Sequence, residues 1–420
     1  MPDRRRAAPR RATPPREAWG LTDRRPAAAG RATLVPFAAL SASYFAHIGF
    51  FNPYLPLWLK ELGLSLVTIS LLTAVQSATR LFAPYAWGTL SDRTGERVRL
   101  LRYSATVAVV AATGLWFDWG VVGLALVLLV MFTHTSGMMP MSEAAMAHLV
   151  SQDGGFDARR YGRVRLWGSA GFLLTVFAAG AWFDAFGMRR FPGWTLLTLG
   201  AVMLSAWCLP DLREAVSTHA THPPVAKVLR QPVVRWLFAA IFFHVLSHIS
   251  IYVFFSLYLD ALGYAKTTIG LMWAVSVVIE IGGFFTQGRW LPRLSLSAWL
   301  VVCAAATVLR MGITATAAHL LPWLIVAQAL HVLTFAAHHT VCIALLSHHF
   351  PGRLRGRGQA LYTVVGYGLS GVLGSLVGGV LSTRFGLASV FWASAGTGLV
   401  AVACAGRVWR LERRAGAAVA

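Results

Sequence analysis

The sequence has few charged residues and very few acidic ones. Asp, Glu, Lys and Arg together make up 13% of its 420 residues, and only 16 residues are Asp or Glu. A soluble domain needs far more polar surface than this to cover its core. Because 56% of the residues are hydrophobic, the scarcity of charge excludes an ordinary soluble protein and indicates a chain that lies in a lipid bilayer.

Cysteine is also scarce, and a phosphate-binding motif is missing. The four cysteines, Cys208, Cys303, Cys342 and Cys404, lie far apart in apolar segments. This spacing fits neither a metal motif nor a disulfide framework, so they are expected to be small apolar side chains. No glycine-rich loop followed by Lys occurs, which argues against ATP-driven chemistry. The sequence predicts no metal and no cofactor.

Long apolar segments are abundant. Segments of roughly twenty apolar residues can cross a bilayer as helices, and the alternating pattern of an outer-membrane barrel does not occur. The sequence therefore predicts an all-α integral membrane protein with twelve transmembrane helices, with a tight turn at Asp118 and Gly120 between the third and the fourth. These spans are predicted at 34–58, 67–90, 100–118, 120–148, 161–183, 192–210, 233–259, 267–290, 297–317, 321–347, 358–383 and 387–407.

The net charge of +21 reflects orientation rather than nucleic-acid binding. Most of the 37 Lys and Arg residues fall in the N-terminal tail and in the loops after the even-numbered spans. Cytoplasmic loops of membrane proteins carry such an excess of basic residues. We therefore expect both termini to be cytoplasmic and no nucleic acid among the partners.

The two halves of the chain resemble each other at an offset of 200 residues. Gly63 aligns with Gly263 and Gly88 with Gly288, together with further identical pairs in the first two spans of each half. Such a duplication predicts two six-helix pseudo-repeats in parallel orientation. The predicted organisation is a disordered basic tail at 1–33, an N-terminal bundle at 34–210, a cytoplasmic linker at 211–232, a C-terminal bundle at 233–410 and a tail at 411–420.

A polar stretch, GTLSDRTGER at 88–97, separates the second and third spans. Its residues Gly88, Asp92, Arg93, Gly95 and Arg97 resemble the signature of the major facilitator superfamily, in both sequence and position. The resemblance implies the major facilitator fold, transport by alternating access and no enzymatic activity. It also implies a cytoplasmic gate, in which Asp92 makes an interdomain contact while the glycines and arginines shape a short loop.

Four charged residues fall inside predicted helices, where a charge costs about 2.5–3.5 kcal/mol on insertion scales. They are Arg80, Glu143, Glu280 and Arg310. In a structural interpretation, Arg80 pairs with Glu143 and Glu280 pairs with Arg310. In a functional interpretation, a base binds an anionic substrate group and an acid carries a proton. We select Arg80 and Glu143 first for the functional role, then Glu280, with Arg310 as a structural partner.

Several histidines and one asparagine add polar groups to the same helices. His248, His331 and His338 are candidates for proton relay or substrate contact, although a neutral imidazole bonded to a neighbouring helix explains any single one more simply. Asn52, which precedes Pro53 in span one, is a candidate substrate contact because irregular backbone at this depth needs protein or a wet cavity beside it. A metal site formed by these histidines is not favoured, because no acidic or Cys ligand lies at standard spacing.

A narrower resemblance is carried by YGRVRLWGS at 161–169 and by the segment 321–339. Both resemble the phenylpropionate permease branch of the superfamily, and the similarity covers about 34–407. This implies proton-coupled import of an aromatic carboxylate such as 3-phenylpropionate across the bacterial inner membrane. The same motif occurs in sugar and nucleoside permeases, which favours a role for Arg163 and Arg165 only as anchors at a cytoplasmic helix end. Those permeases and an exporter of hydrophobic compounds remain alternatives.

The partners that follow are a small-molecule substrate and the lipid bilayer, and the proton is the expected coupling ion. We expect the chain to function as a monomer. An intramembrane metalloenzyme would need three or more histidines around one metal. A receptor without transport would not explain charged residues inside the helices of both halves.

Overall fold

The computed structural model describes residues 31–150, 158–211, 225–351 and 354–417. Throughout these ranges the regular secondary structure is helical, without strands. Eleven helices of the described residues are long and apolar enough to cross a membrane. A further helix, Phe191–Trp207, has 17 residues and lies where the sixth span was predicted.

The helix ends lie within four residues of the predicted ends, except that the last helix continues seven residues beyond 407, into the predicted tail. The helices are α1 Leu34–Glu61, α2 Leu66–Thr94, α3 Arg97–Trp116, α4 Gly120–Met146, α5 Gly162–Phe186, α6 Phe191–Trp207, α7 Pro232–Ala261, α8 Lys266–Arg293, α9 Leu296–Ala317, α10 Leu321–His349, α11 Arg355–Phe385 and α12 Leu387–Arg414. The turn predicted between α3 and α4 is confirmed: Gly120 has a φ of 63°, and its N–H donates to the Asp118 carboxylate at 3.1 Å.

Two of the predicted segments fall mainly outside the described residues. These are the basic tail, of which 1–30 is outside, and the linker, of which 212–224 is outside. The backbone is already helical at Arg31, inside the predicted tail. A short helix, Ala226–Leu229, precedes α7.

Four helices change their winding near the middle of the bundle. The interruptions lie at 80–82 in α2, at 136–137 in α4, at Val332–Ala337 in α10 and at Tyr362–Leu369 in α11. The last two segments are π-helical, a conformation that often marks functional sites. Irregular backbone at membrane depth is tolerated where it is buried in protein or lines a cavity. The interruptions therefore indicate where a site between the helices should be sought.

The two halves of the chain pack against each other through the helix pairs α1–α7, α2–α11 and α5–α8. At one end of the bundle, called here the Lys60 end, α1 and α7 finish side by side. The Lys60 ammonium donates to the Asp260 carboxylate at 2.8 Å, and Lys266 lies 3.0 Å from the same carboxylate. Lys60 and Asp260 are equivalent positions at the 200-residue offset. The opposite end of the bundle is called the Asp92 end.

Backbone contacts reinforce the Lys60 end. The Asp184 carboxylate, near the end of α5, accepts hydrogen bonds from the N–H groups of Lys266 and Thr267, both at 2.7 Å. A carboxylate at this position satisfies backbone donors of the first turn of α8 and complements its helix dipole. The buried Tyr54 hydroxyl of α1 lies between the carbonyl oxygen of Val176, at 2.8 Å, and that of Lys266 in α8, at 3.2 Å. The two halves are therefore joined by both side chains and main chain at this end.

Two glycines allow α5 and α8 to approach closely there. A Cβ on Gly180 would lie 2.7 Å from the Lys266 carbonyl oxygen, and a Cβ on Gly270 would lie 2.5 Å from that of Val176. Neither carbonyl oxygen can move away from the added Cβ unless the backbone of its helix also moves. The contact between the halves at the Lys60 end thus requires both glycines.

We expect Gly270→Leu to separate α5 from α8 at the Lys60 end, whereas Gly282→Leu in the same helix should not, because a Cβ at Gly282 meets open space. An impermeant maleimide, applied from the side that faces the Lys60 end, would report the change. In a chain without the four native cysteines, a cysteine at Thr73, which lines the central cavity, should react several-fold faster when Gly270→Leu is present. Equal reaction rates in the two glycine variants would contradict this account.

Candidate functional site

A central cavity between the two halves consists of two adjoining chambers, with volumes of about 710 Å³ and 220 Å³. Asn52, Tyr252 and Phe335 line both chambers, so the chambers meet at these residues. The larger one, called the wide chamber, extends toward the Asp92 end, where Ile343 and Gln359 line it. The smaller one, called the ring chamber, is bordered by Phe45, Phe172, Trp273 and Phe335.

The wide chamber contains the first predicted site residues. The interruption in α2 places Arg80 on its wall, and Glu143 lies on the same wall. Asn52 accepts a hydrogen bond from the Gln76 side chain at 3.1 Å. In the described part of the chain, no group accepts a hydrogen bond from the Arg80 guanidinium. A cation without a protein counter-ion, next to a cavity, can take a ligand anion or water.

Both predicted ion pairs are wrong. Glu143 pairs with Arg165 of α5, at 3.5 Å between Oε1 and Nε, and not with Arg80. Glu280 pairs with His331, at 3.2 Å between Oε2 and Nε2, and not with Arg310. For the second pair the reason is the position of His331, whose ring contacts Arg310 through Nδ1 and Glu280 through Nε2 and so lies between them.

Arg165 is a site residue that the sequence interpretation missed. It was considered only as an anchor at a helix end, but it lines the ring chamber. Its guanidinium carbon lies 4.2 Å from the centroid of the Phe45 ring, a cation–π contact, and its side chain is 40% exposed. The available signal was its position, four residues inside the predicted span 161–183, at a depth where an anchor is not needed.

Arg310 is 0% exposed and is bonded only to neutral groups among the described residues. Its Nη1 donates to the Thr334 hydroxyl and to His331 Nδ1, both at 2.9 Å, and lies 3.2 Å from His248 Nε2. Its Nη2 donates to the Gln328 carbonyl oxygen at 3.0 Å. These contacts join α7, α9 and α10, so Arg310 organises packing within the C-terminal half, although not through the Glu280 pair of the structural interpretation.

His331 connects Arg310 to Glu280. Because its Nδ1 accepts from Arg310, we assign the ring hydrogen of the neutral imidazole to Nε2, which then donates to Glu280. The ring stacks on Phe335 with centroids 5.0 Å apart. All three residues line the ring chamber, and Glu280 is the most exposed of them, at 19% of its side chain. The arrangement can pass a change of charge on Glu280 to the buried arginine.

The remaining histidine candidates separate into two groups. His248 belongs to the Arg310 cluster. His338 is not among the residues that line either chamber, and its ring stacks on that of His244 with centroids 3.5 Å apart. His244 Nε2 in turn lies 2.8 Å from the Thr334 carbonyl oxygen, to which it donates. The structure thus places His331 and His248 close to the site and His338 in the helix packing behind it.

The predicted gate motif is mostly helical. Gly88, Asp92 and Arg93 lie in the helical segment Ala83–Thr94, so the prediction of a loop with two glycines is wrong. Only Gly95 turns the chain, with a φ of 67°. Asp92 accepts a hydrogen bond from Arg97 at 2.7 Å, within its own half. An interdomain contact of Asp92 stays a prediction for another conformation.

The arrangement of long helices around a charged central cavity agrees with a comparison to known families. A family model described as "MFS_1 like family" matches residues 39–393. The chain belongs to the MFS_1-like family. It is therefore a secondary transporter of the major facilitator type and not an enzyme, as the gate motif and the repeat suggested.

Two relatives of this MFS_1-like chain cover most of its length. A protein described as "Probable 3-phenylpropionic acid transporter" from Escherichia coli (strain K12) is 28% identical over 356 residues, which cover 84% of this chain and 92% of that protein. A maltose permease from Geobacillus stearothermophilus is 28% identical over 375 residues, which cover 87% of this chain and 91% of that protein.

Solved structures of transporters show the same fold. A variant of the nucleoside transporter NupG superposes with a TM-score of 0.77 at 13% identity, covering 90% of this chain and 99% of that one. A bacterial homologue of the human lysosomal transporter Spinster, in an inward-facing and unoccupied conformation, superposes with a TM-score of 0.68 at 14% identity, covering 90% of this chain and 96% of that one.

Substitution of Arg310 and of Arg165, the two arginines that border the ring chamber, should change the stability of the protein by different amounts. Arg310→Ala leaves several buried acceptors without their donor, at about 1–3 kcal/mol for each, whereas Arg165→Ala removes a partly exposed side chain with one ion pair. We expect the apparent melting temperature of the purified protein in detergent to fall clearly for Arg310→Ala and little for Arg165→Ala. Equal melting temperatures would show that the Arg310 cluster does not stabilise the fold.

Proposed function

We propose that this transporter imports a small aromatic carboxylate together with protons, with 3-phenylpropionate as the representative substrate. The observation that carries the proposal is the ring chamber, where five aromatic side chains, those of Phe45, Phe172, Tyr252, Trp273 and Phe335, line the same space as the partly exposed cation of Arg165. A ring-bearing carboxylate needs both an apolar pocket for its ring and a cation for its charge. The relative described as a probable 3-phenylpropionic acid transporter supports the same substrate class.

Alternating access follows from the two halves. In this proposal α6 crosses the bilayer with the other eleven helices, so that two six-helix repeats enclose the site. Both termini are cytoplasmic, the membrane is the bacterial inner membrane, and the Lys60 end faces outward. The wide chamber then leads to the cytoplasm. Rocking of the halves would separate Lys60 from Asp260 and bring Asp92 to the opposite half.

The charged residues have separate roles in this proposal. Arg80, in the wide chamber, attracts the anion and stabilises it on its way between the ring chamber and the cytoplasm. Glu143 and Glu280 are the acids that exchange protons, because each is a carboxylate that borders a chamber. Asn52 contacts the substrate where the two chambers meet. His331 sets the position of Glu280 directly, and His248 acts on it through Arg310 and His331.

A sugar or nucleoside permease is the second candidate function. The maltose permease is as similar in sequence as the first relative, at 28% identity. The amide groups of Asn52 and Gln76 in the wide chamber could bind sugar hydroxyl groups. Export of hydrophobic compounds is the third candidate, since the direction of transport depends on the gradients supplied.

Uptake of radiolabelled 3-phenylpropionate into cells that express the chain tests the proposal directly. We expect accumulation that a protonophore abolishes, because the proton gradient would drive it. Maltose and a nucleoside serve as comparison substrates. Accumulation of one of these instead, without uptake of the carboxylate, would move the substrate assignment to the second candidate.

Arg80→Ala should abolish this uptake while the protein is still made in normal amounts. The substitution removes a cation that has no protein counter-ion among the described residues, so it leaves no buried partner behind. Arg189→Ala, at an exposed position of the Lys60 end, is the control and should transport normally. Normal carboxylate uptake by Arg80→Ala would remove Arg80 from the site.

A further inference from the structure

Three arginines reach the centre of the protein, and they differ in what they can offer to a ligand. Both terminal nitrogens of the fully buried Arg310 already bind protein acceptors. Arg80 lines only the wide chamber, which shares Tyr252 and Phe335 with the ring chamber but not Phe45, Phe172 or Trp273. Arg165 lies beside those rings with a side chain that is 40% exposed. Arg165 is therefore the cation placed to bind the carboxylate of an aryl substrate.

The guanidinium of Arg165 is held in a way that leaves one edge open. Its central carbon lies over the Phe45 ring, 4.2 Å from the ring centroid, and Glu143 approaches Nε at 3.5 Å. Among the described residues, none accepts a hydrogen bond from its two terminal nitrogens. A guanidinium with both of these donors available matches the two oxygens of a carboxylate.

We propose that the substrate carboxylate and Glu143 compete for Arg165, and that this competition couples transport to protons. The proposal rests on the function proposed above. When the substrate carboxylate binds the guanidinium, Glu143 loses its counter-ion and takes one proton from the wide chamber to become a neutral carboxylic acid. Release of the substrate lets Glu143 return its proton to water and pair with Arg165 again.

The pairing of charges explains why proton and substrate move together. Arg80, Arg165 and Arg310 carry three positive charges and Glu143 and Glu280 carry two negative charges, so their sum in the empty site is +1. Binding of one anion and one proton leaves the sum unchanged. Binding of the anion alone takes Arg165 from Glu143 and leaves that carboxylate without its counter-ion, and binding of the proton alone leaves Arg165 without its own, where an uncompensated charge is costly. Empty and doubly loaded states can therefore reorient, while singly loaded states are disfavoured.

Several other groups could influence the charge on Glu143 and are named for that reason. Arg80 shares the wide chamber with it, and His339 and Tyr362 face the same chamber from α10 and α11. Tyr44 of α1 is nearby but donates its hydroxyl hydrogen to the Thr135 carbonyl oxygen at 3.2 Å. None of these groups forms an ion pair with Glu143 in the described part of the chain, whereas Arg165 does.

Equilibrium binding to the purified protein tests the competition. The probes are 3-phenylpropionate and its neutral amide, 3-phenylpropanamide, measured at several pH values at which the free carboxylate is ionised. For the wild type, we expect carboxylate affinity to rise as the pH falls, with uptake of about one proton per bound carboxylate in weakly buffered solution. The amide should bind without proton uptake, because it does not displace Glu143.

Three variants give separate outcomes. Arg165→Gln should lower the affinity for the carboxylate at least tenfold but leave amide binding unchanged, which also shows that the variant is folded. Arg163→Gln is the matched control, because this exposed arginine lies two residues away, and it should behave as the wild type. Glu143→Gln should bind the carboxylate tightly at every pH, without proton uptake. In vesicles, Glu143→Gln should exchange substrate but not accumulate it.

The outcomes distinguish this inference from the proposed function. If the wild type binds and transports 3-phenylpropionate but Arg165→Gln binds it equally well, or if Glu143→Gln keeps the pH dependence of the wild type, the competition is overturned and the substrate assignment stands. Loss of carboxylate binding in Arg80→Gln alone would assign the contact to Arg80 instead. If the wild type binds no carboxylate, both the proposed function and this inference are overturned.

Discussion

The cost of a charge in hydrocarbon is the constraint from which the rest of this structure follows. Each central charge must have partners or face a wet cavity. Arg310 meets the requirement with hydrogen bonds to neutral side chains of α10. Glu280 is connected to Arg310 only through the ring of His331. Arg80 and Arg165 meet it by facing the chambers. The two chambers exist where the helices hold charges that they cannot pair internally.

The two halves satisfy this constraint in different ways, although the sequence shows traces of duplication. The C-terminal half uses a dense buried network around Arg310, which ties three helices together. The N-terminal half uses one loose ion pair, Arg165 with Glu143 at 3.5 Å, and a cation without a protein partner in the described residues. A tight network gives a stable framework, and a weak contact can be exchanged for a ligand. The C-terminal half thus provides the stable framework, and the N-terminal half provides the contact that a ligand can replace.

Sequence reasoning located the helices well, because hydrophobic length and turn residues are local properties. The turn at Asp118 and Gly120 and the central positions of Arg80, Glu143, Glu280 and Arg310 came from such local signals. The partners of these charges did not, because pairing depends on the rotation and depth of helices that are distant in the chain. For the same reason Arg165 was assigned to a helix end, and a helical Gly88 was expected in a loop. Substrate and sidedness stay predictions.

The contact between Lys60 and Asp260 joins two positions that are 200 residues apart, the offset at which the two halves of the sequence align. If both positions held the same charged residue, the two like charges would repel each other at this distance. A Lys–Asp pair, 2.8 Å apart, is possible because the two halves differ in sequence at this position. Divergence between the halves therefore supplies an attractive contact where identical halves would have a repulsive one.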